Sequence, residues 1–234
     1  MKQRLSDYVA DFLVDHGVTD CFTVVGGGAM HLNDALGHKE GLKCTYNHHE
    51  QASAIAAEAY ARIHNKIAAL CVTTGPGGTN AITGVVGGWL DSIPMFVLSG
   101  QVRYDTTARY GMKFTDGLPL RAMGDQEFDI TKAVGCMCKY AAMLEDPADI
   151  RYMLEKAWHL ATTGRMGPVW LDIPVNYQGC TIETDTLRGY DPAEDAASMP
   201  KPVEKAEVQK VVELLKNAKR PVLYAGNGIR LSGG

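Results

Sequence analysis

Three short segments hold most of the residues in this sequence whose types and spacing suit chemistry. They are Val24-Val25-Gly26-Gly27-Gly28-Ala29, Asn47-His48-His49-Glu50-Gln51-Ala52 and Thr73-Thr74-Gly75-Pro76-Gly77-Gly78-Thr79-Asn80. Consecutive glycines in the first let a ligand or another backbone approach closely, although glycine clusters also make ordinary turns. The second sets a carboxylate, Glu50, at the start of an apolar helical run through Ala52, Ile55, Ala56, Ala59 and Tyr60. From position alone such a carboxylate is a partner for the helix dipole. The adjacent His48 and His49 invite a metal reading, but neighbours on a helix face different ways and no histidine follows at i+4, so no metal ligand is assigned. The third segment lacks the lysine of a Walker loop and does not match G-x-G-x-x-G. Nothing marks it as a phosphate cradle, and its glycines leave room for a flat ring.

The elements around these segments alternate. Leu5, Tyr8, Val9, Phe12 and Leu13 make one apolar face of a helix over residues 4–16, which Gly17 can close. A short β-branched strand, Cys21–Val25, then runs into the first glycine loop, and Leu32, Ala35 and Leu36 mark the helix after it. The pattern continues with strand 42–46, helix 50–62, strand 67–73, helix 80–90 and strand 94–98. After an irregular stretch at 101–130 come helix 147–163 and strand 168–174. Near-continuous apolar strands separated by helices predict an α/β fold, a parallel sheet covered by helices on both faces. Each chemical segment follows the carboxyl end of a predicted strand, where open α/β sheets place their ligands.

Residues 1–177 are expected to form this domain, and 178–203, rich in Thr, Asp, Glu, Pro and Ser, a linker. Beyond it, Val208, Val211, Val212, Leu214 and Leu215 predict a helix and Pro221–Gly226 a strand. One helix and one strand cannot bury a core, so 204–234 read as the truncated start of a second α/β domain.

Of 234 residues, 46% are hydrophobic and 21% charged, an ordinary globular composition. Lys and Arg total 23 against 27 Asp and Glu, and the net charge of −4 leaves no basic surplus for a nucleic acid. No apolar run approaches the roughly 18 residues of a membrane span, and the N-terminus is not that of a signal peptide. A cytoplasmic protein with neither nucleic-acid nor membrane partners is expected. The six cysteines sit mostly in apolar stretches without C-x-x-C spacing and read as small buried hydrophobes.

Taken together, His49-Glu50-Gln51-Ala52 with Ala57-Glu58-Ala59-Tyr60-Ala61-Arg62, Gly75-Pro76-Gly77-Gly78-Thr79-Asn80, Asp91-Ser92-Ile93-Pro94 and Gly100-Gln101-Val102 resemble the pyrimidine-binding domain of thiamine-diphosphate enzymes, and among these the acetolactate synthase group. The resemblance runs from about residue 3 to Val175, and the tail from 205 resembles the start of the family's central domain. It implies a carboligase that decarboxylates a 2-oxo acid, with thiamine diphosphate and Mg²⁺ as cofactors. In the family the cofactor's own aminopyrimidine acts as base, helped by a carboxyl at ring N1′ whose place matches Glu50. Val25, Gly26, Gly27, Thr73, Pro76 and Asn80 fall at positions near the aminopyrimidine, and Gln126 at a polar position near the reacting carbon. Ala52, Ile55 and Ala56 could give Glu50 an apolar setting that keeps a shared proton, whereas the helix N-terminus pulls its pKa the other way, and the sequence leaves both effects open.

Two positions depart from the family pattern: Val25 replaces a common proline, and Asp125 a common aromatic before Gln126. The second points to a different 2-oxo acid or acceptor, and so to a related decarboxylase or lyase. The diphosphate and metal belong in the family to a third domain, whose Gly-Asp-Gly motif does not occur here, and each active site forms between two subunits. A homodimer or tetramer is therefore expected, with no metal ligand from these residues. The competing reading is a non-catalytic α/β module that uses the same loops to hold a protein partner.

Overall fold

The computed structural model describes residues 1–233 and divides into two units, Met1–Pro192 and the residues from Ala193 onward. In chain order the first unit opens with β1 (Lys2–Arg4), α1 (Leu5–Asp15), β2 (Asp20–Thr23), α2 (Met30–His38) and β3 (Lys43–Tyr46). It continues with α3 (Glu50–His64), β4 (Ala68–Val72), α4 (Pro76–Leu90), β5 (Met95–Gln101), α5 (Ala108–Gly111) and α6 (Ile130–Val134). It ends with β6 (Tyr140–Met143), α7 (Ile150–Thr162), β7 (Val169–Pro174), α8 (Val175–Gln178) and β8 (Thr181–Glu183).

Six strands form one parallel sheet in the order β3-β2-β4-β5-β7-β6. Strand side chains alternate between faces, and here both faces are covered. Ala69 and Cys71 pack with α1, α2 and α7, whereas Ala68, Leu70 and Val72 pack with α3, α4 and α6. That is why β4, β5 and β7 are buried along their whole lengths and read as unbroken apolar runs. From β2 the chain crosses one face through α2 to β3, and from β4 it crosses the other face through α4 to β5. The strand order reverses at this point, so a crevice opens between the carboxyl ends of β2 and β4.

Several elements differ from the sequence expectation. The helix expected from Asn80 begins at Pro76, because Gly75 takes the cap position and the fixed φ of proline suits the first helical residue. β6 and α6 lie in stretches to which the sequence assigned no element; both are short, and β6 pairs only with β7. Within the expected linker 178–203, Thr181–Glu183 pairs antiparallel with Lys2–Arg4, and Leu187 is buried. Strands of three residues are too short to show a periodicity, and their pairing joins opposite ends of the unit. In the second unit, α9 (Lys205–Asn217) and the short α10 (Gly228–Leu231) form. The strand expected at Pro221–Gly226 does not, since a strand needs a neighbour for its backbone groups and this stretch has no ladder.

α3 and α4 approach through small residues. A Cβ built on Gly84 would lie 2.5 Å from Ala54 Cβ and 2.7 Å from Ile55 N. Gly84→Leu is therefore expected to lower unfolding stability by about 3 kcal/mol, seen as a reduced urea midpoint, through overpacking. Ala59→Ser, on the exposed side of α3, is expected to stay within about 0.5 kcal/mol of the parent.

Candidate functional site

The crevice is built around Thr73, the residue after β4. Its Oγ1 accepts a hydrogen bond from the Gly28 N–H at 3.0 Å, tying the first glycine loop to the third segment. A Cβ on Gly26 would meet the Thr73 side chain at 2.5 Å, and one on Gly77 would meet it at 2.7 Å. Behind the loop, a Cβ on Gly100 of β5 would lie 2.0 Å from the Gly28 carbonyl oxygen. Backbone therefore packs on backbone at the carboxyl end of the sheet, a closeness that only glycine permits. Gly27 faces open space, and Val25 is 61% exposed.

Glu50 is the first residue of α3 and comes from the far side of the crevice. Its Oε2 accepts from Asn80 Nδ2 at 2.7 Å, and the same amide lies 3.3 Å from His49 Nε2. Because α4 starts at Pro76, Asn80 lies one turn inside the helix and holds the carboxylate rather than capping the helix. Glu50 Oε1 points towards Gly77, 3.5 Å from where a Cβ there would sit. A half-buried carboxylate with one oxygen pinned and the other beside a bare glycine can hold a proton against a flat polar ring.

On the opposite side of the Gly75 turn lies an open cleft of about 740 Å³, lined in part by Gly26, Thr73, Arg103, Met123, Asp125 and Gln126. Gly75 has φ +55° and ψ −114°, and a Cβ there would stand 2.1 Å from the Gln126 carbonyl oxygen. Gln126 itself has φ +59°. Its turn is held by Glu127, which accepts from the Ala108 and Met123 N–H groups, each at 2.7 Å. Of the residues selected from the sequence, Val25, Glu50, Pro76 and Asn80 do not line this cleft, whereas Gly26, Gly27, Thr73 and Gln126 do.

The apolar setting expected for Glu50 is not built by its own helix. Ala52 and Ile55 are exposed, and α3 buries Ser53, Ala54, Ala57 and Ala61 against the sheet and α4. Glu58, Arg62 and Asp91, carried by two of the motifs, form an ion-paired cluster between the ends of α3 and α4, away from the cleft. Among the described residues, no three His, Cys, Asp or Glu side chains converge to hold a metal ion. The site does fit a flat heterocycle, through Glu50, Asn80 and the bare glycines around Thr73. Sequence reasoning missed Arg103, Met123 and the buried polar side chains Ser99 and Asp172. For Asp172 a signal existed, an acid inside the apolar run Val169–Pro174.

Residues 3–129 match the family described as "Thiamine pyrophosphate enzyme, N-terminal TPP binding domain", and the chain belongs to that family. Relatives include the chloroplastic acetolactate synthase of Arabidopsis thaliana, 32% identical over 231 residues that cover 95% of this chain and 31% of that protein. The acetolactate synthase large subunit of Lactococcus lactis is 34% identical, with 97% of this chain and 37% of that protein covered. For the isozyme 3 large subunit of Escherichia coli the identity is 32%, and the shares are 97% and 38%. The chain thus spans only about a third of the length of these relatives. No helix among the described residues is long and apolar enough to cross a membrane.

Thr73→Val keeps the shape of the side chain but removes the acceptor for Gly28. It is expected to cost about 1–2 kcal/mol in denaturant unfolding and to speed amide exchange at Gly28, while Thr73→Ser retains the protection of that amide.

Proposed function

We propose that this chain docks the aminopyrimidine half of thiamine diphosphate in an enzyme of the acetolactate synthase type, which decarboxylates a 2-oxo acid and ligates the product to a second carbonyl compound. The first unit is then the pyrimidine-binding domain. The observation that carries the reading is Glu50, pinned by Asn80 beside the glycine-lined crevice at the reversal of strand order. When bound, thiamine diphosphate supplies a carbon nucleophile at its thiazolium ring. Glu50 Oε1 holds a proton at ring nitrogen N1′, and Asn80 keeps the carboxylate from turning away. Val25, Gly26, Gly27, Thr73 and Pro76 give the ring its walls, and the bare backbone at Gly26 and Gly77, which pack directly on the Thr73 side chain, keeps those walls flat.

Gln126 is the polar group offered to the reacting carbon. Asp125 beside it adds a carboxylate to the cleft wall, which favours an uncharged acceptor over a second 2-oxo acid, as in a related lyase. Magnesium and the diphosphate are assigned outside these residues. The exposed apolar side chains Ile55, Ile63 and Leu90 on α3 and α4 support burial against a second subunit in a homodimer or tetramer. Six free cysteines suit a reducing cytoplasm.

Glu50→Gln in the whole protein is expected to reduce turnover by about 10²- to 10⁴-fold, the range for loss of a proton-handling group. Unchanged turnover would favour a non-catalytic module. Calorimetry of the 234-residue chain with thiamine diphosphate and magnesium is expected to show no micromolar binding, because charge-assisted contacts to the diphosphate are the stronger ones. Micromolar, magnesium-dependent binding would place the diphosphate on the Gly26 and Gly75 loops instead.

A further inference from the structure

Beneath the cleft, four buried polar side chains lie on the α4 and α6 face of the sheet. Ser99 and Gln101 alternate along β5, Trp170 and Asp172 along β7, and Ser99 stands directly opposite Asp172 in the ladder. All four are at most 1% exposed. Trp170 Nε1 donates to Ser99 Oγ at 2.8 Å, and Ser99 Oγ donates to Asp172 Oδ1 at 2.6 Å. Gln101 Nε2 donates to Asp172 Oδ2 at 2.9 Å and to the Phe128 carbonyl at 2.9 Å. Gln101 Oε1 accepts from the Val102 N–H at 3.0 Å and from Thr74 Oγ1.

The orientation of the Gln101 amide does not depend on how its oxygen and nitrogen are assigned. The Val102 N–H can only donate and the Phe128 carbonyl can only accept, so the end facing Asp172 is a donor. Asp172 Oδ2 must therefore accept. Through Gln101, one carboxylate reaches both turns that flank the cleft: Thr74 precedes Gly75, and Phe128 follows the Gln126 turn. These are the turns that touch where Gly75 faces the Gln126 carbonyl.

We propose that Asp172 and Gln101 are positioning residues, which set from within the sheet how the Gly75 turn and the Gln126 turn sit against each other. The inference rests on the reading of that cleft as the substrate side of a thiamine-diphosphate site. In its ionised form Asp172 accepts from both Ser99 and Gln101, and the chain of donors is complete. A proton on Asp172 must go to Oδ1, since Oδ2 faces a fixed donor. It then reverses the Ser99 hydroxyl and leaves Gln101 with a weaker, neutral partner.

Burial pushes the Asp172 carboxyl up to about 7, against the hydrogen bonds from Ser99 and Gln101; among charged groups, nearby Asp129 raises it and Arg109 lowers it. Arg109 on α5 is itself paired with Asp129 at 3.0 Å. The residue of β6 opposite Asp172 in the ladder, Met143, carries no charge.

The test is an amide NMR titration of the chain without cofactor, from about pH 5 to about pH 9, a range that brackets this group. The Trp170 indole N–H, the Val102 N–H and the Glu127 N–H are expected to share one midpoint near 7. Asp172→Asn is expected to abolish that shared step. The proposal is overturned if Val102 and Glu127 do not follow Trp170, or if their step persists in Asp172→Asn. Should this variant fail to fold, the parent titration decides alone. No cofactor is present, so failure here leaves the Glu50 reading standing, and failure of that reading leaves this coupling measurable.

Discussion

Thr73 stands where two backbone segments, the Gly26–Gly28 loop and the start of α4, come closer to one side chain than any residue but glycine would allow. Gly26, Gly28 and Gly77 all pack against it, and its hydroxyl accepts the Gly28 N–H. The parallel sheet makes this possible, because β2 and β4 are neighbours whose helices leave on opposite faces. The crevice between their ends is thus floored by one threonine and walled by glycines. The bare surface beside Glu50, and the space that a ring would occupy, follow from that packing.

Two regions of different character meet at the Gly75–Gly77 turn. On one side the carboxylate of Glu50 is pinned by Asn80, in a position set by the starts of two helices. On the other, the cleft that carries Asp125 and Gln126 is shaped by loops whose backbone groups are bound by Glu127 and Gln101. The first region resists change, since moving Glu50 means moving α3 against the sheet. The second belongs to the long connection between β5 and α6, which can vary in sequence without disturbing the sheet.

Much of this was legible in the sequence. Glycine clusters after apolar strands located the loops, but position alone left Glu50 a partner for the helix dipole, and only its company with the other motifs singled it out. Other features were not legible, because each depends on a partner distant along the chain. Gly75 and Pro76 look like loop until the Gln126 carbonyl is found against Gly75. Thr181–Glu183 looks like linker until it pairs with Lys2–Arg4. Asn80 looks like the first residue of its helix until the helix is seen to begin four residues earlier, at Pro76. The apolar run at 221–226 shows the converse, for strand propensity without a neighbouring strand gives no ladder.

The central claim is that these loops dock a flat aminopyrimidine against Glu50. It is tested most directly by titrating the isotope-labelled chain with 4-amino-2-methylpyrimidine, the ring alone, and mapping amide shifts. The account predicts weak, saturable shifts confined to Val25–Gly28, Glu50 and Thr73–Asn80, lost in Glu50→Ala. Shifts centred elsewhere, such as the groove lined by Trp89, Lys139 and Arg165, or shifts that survive Glu50→Ala unchanged, would contradict it.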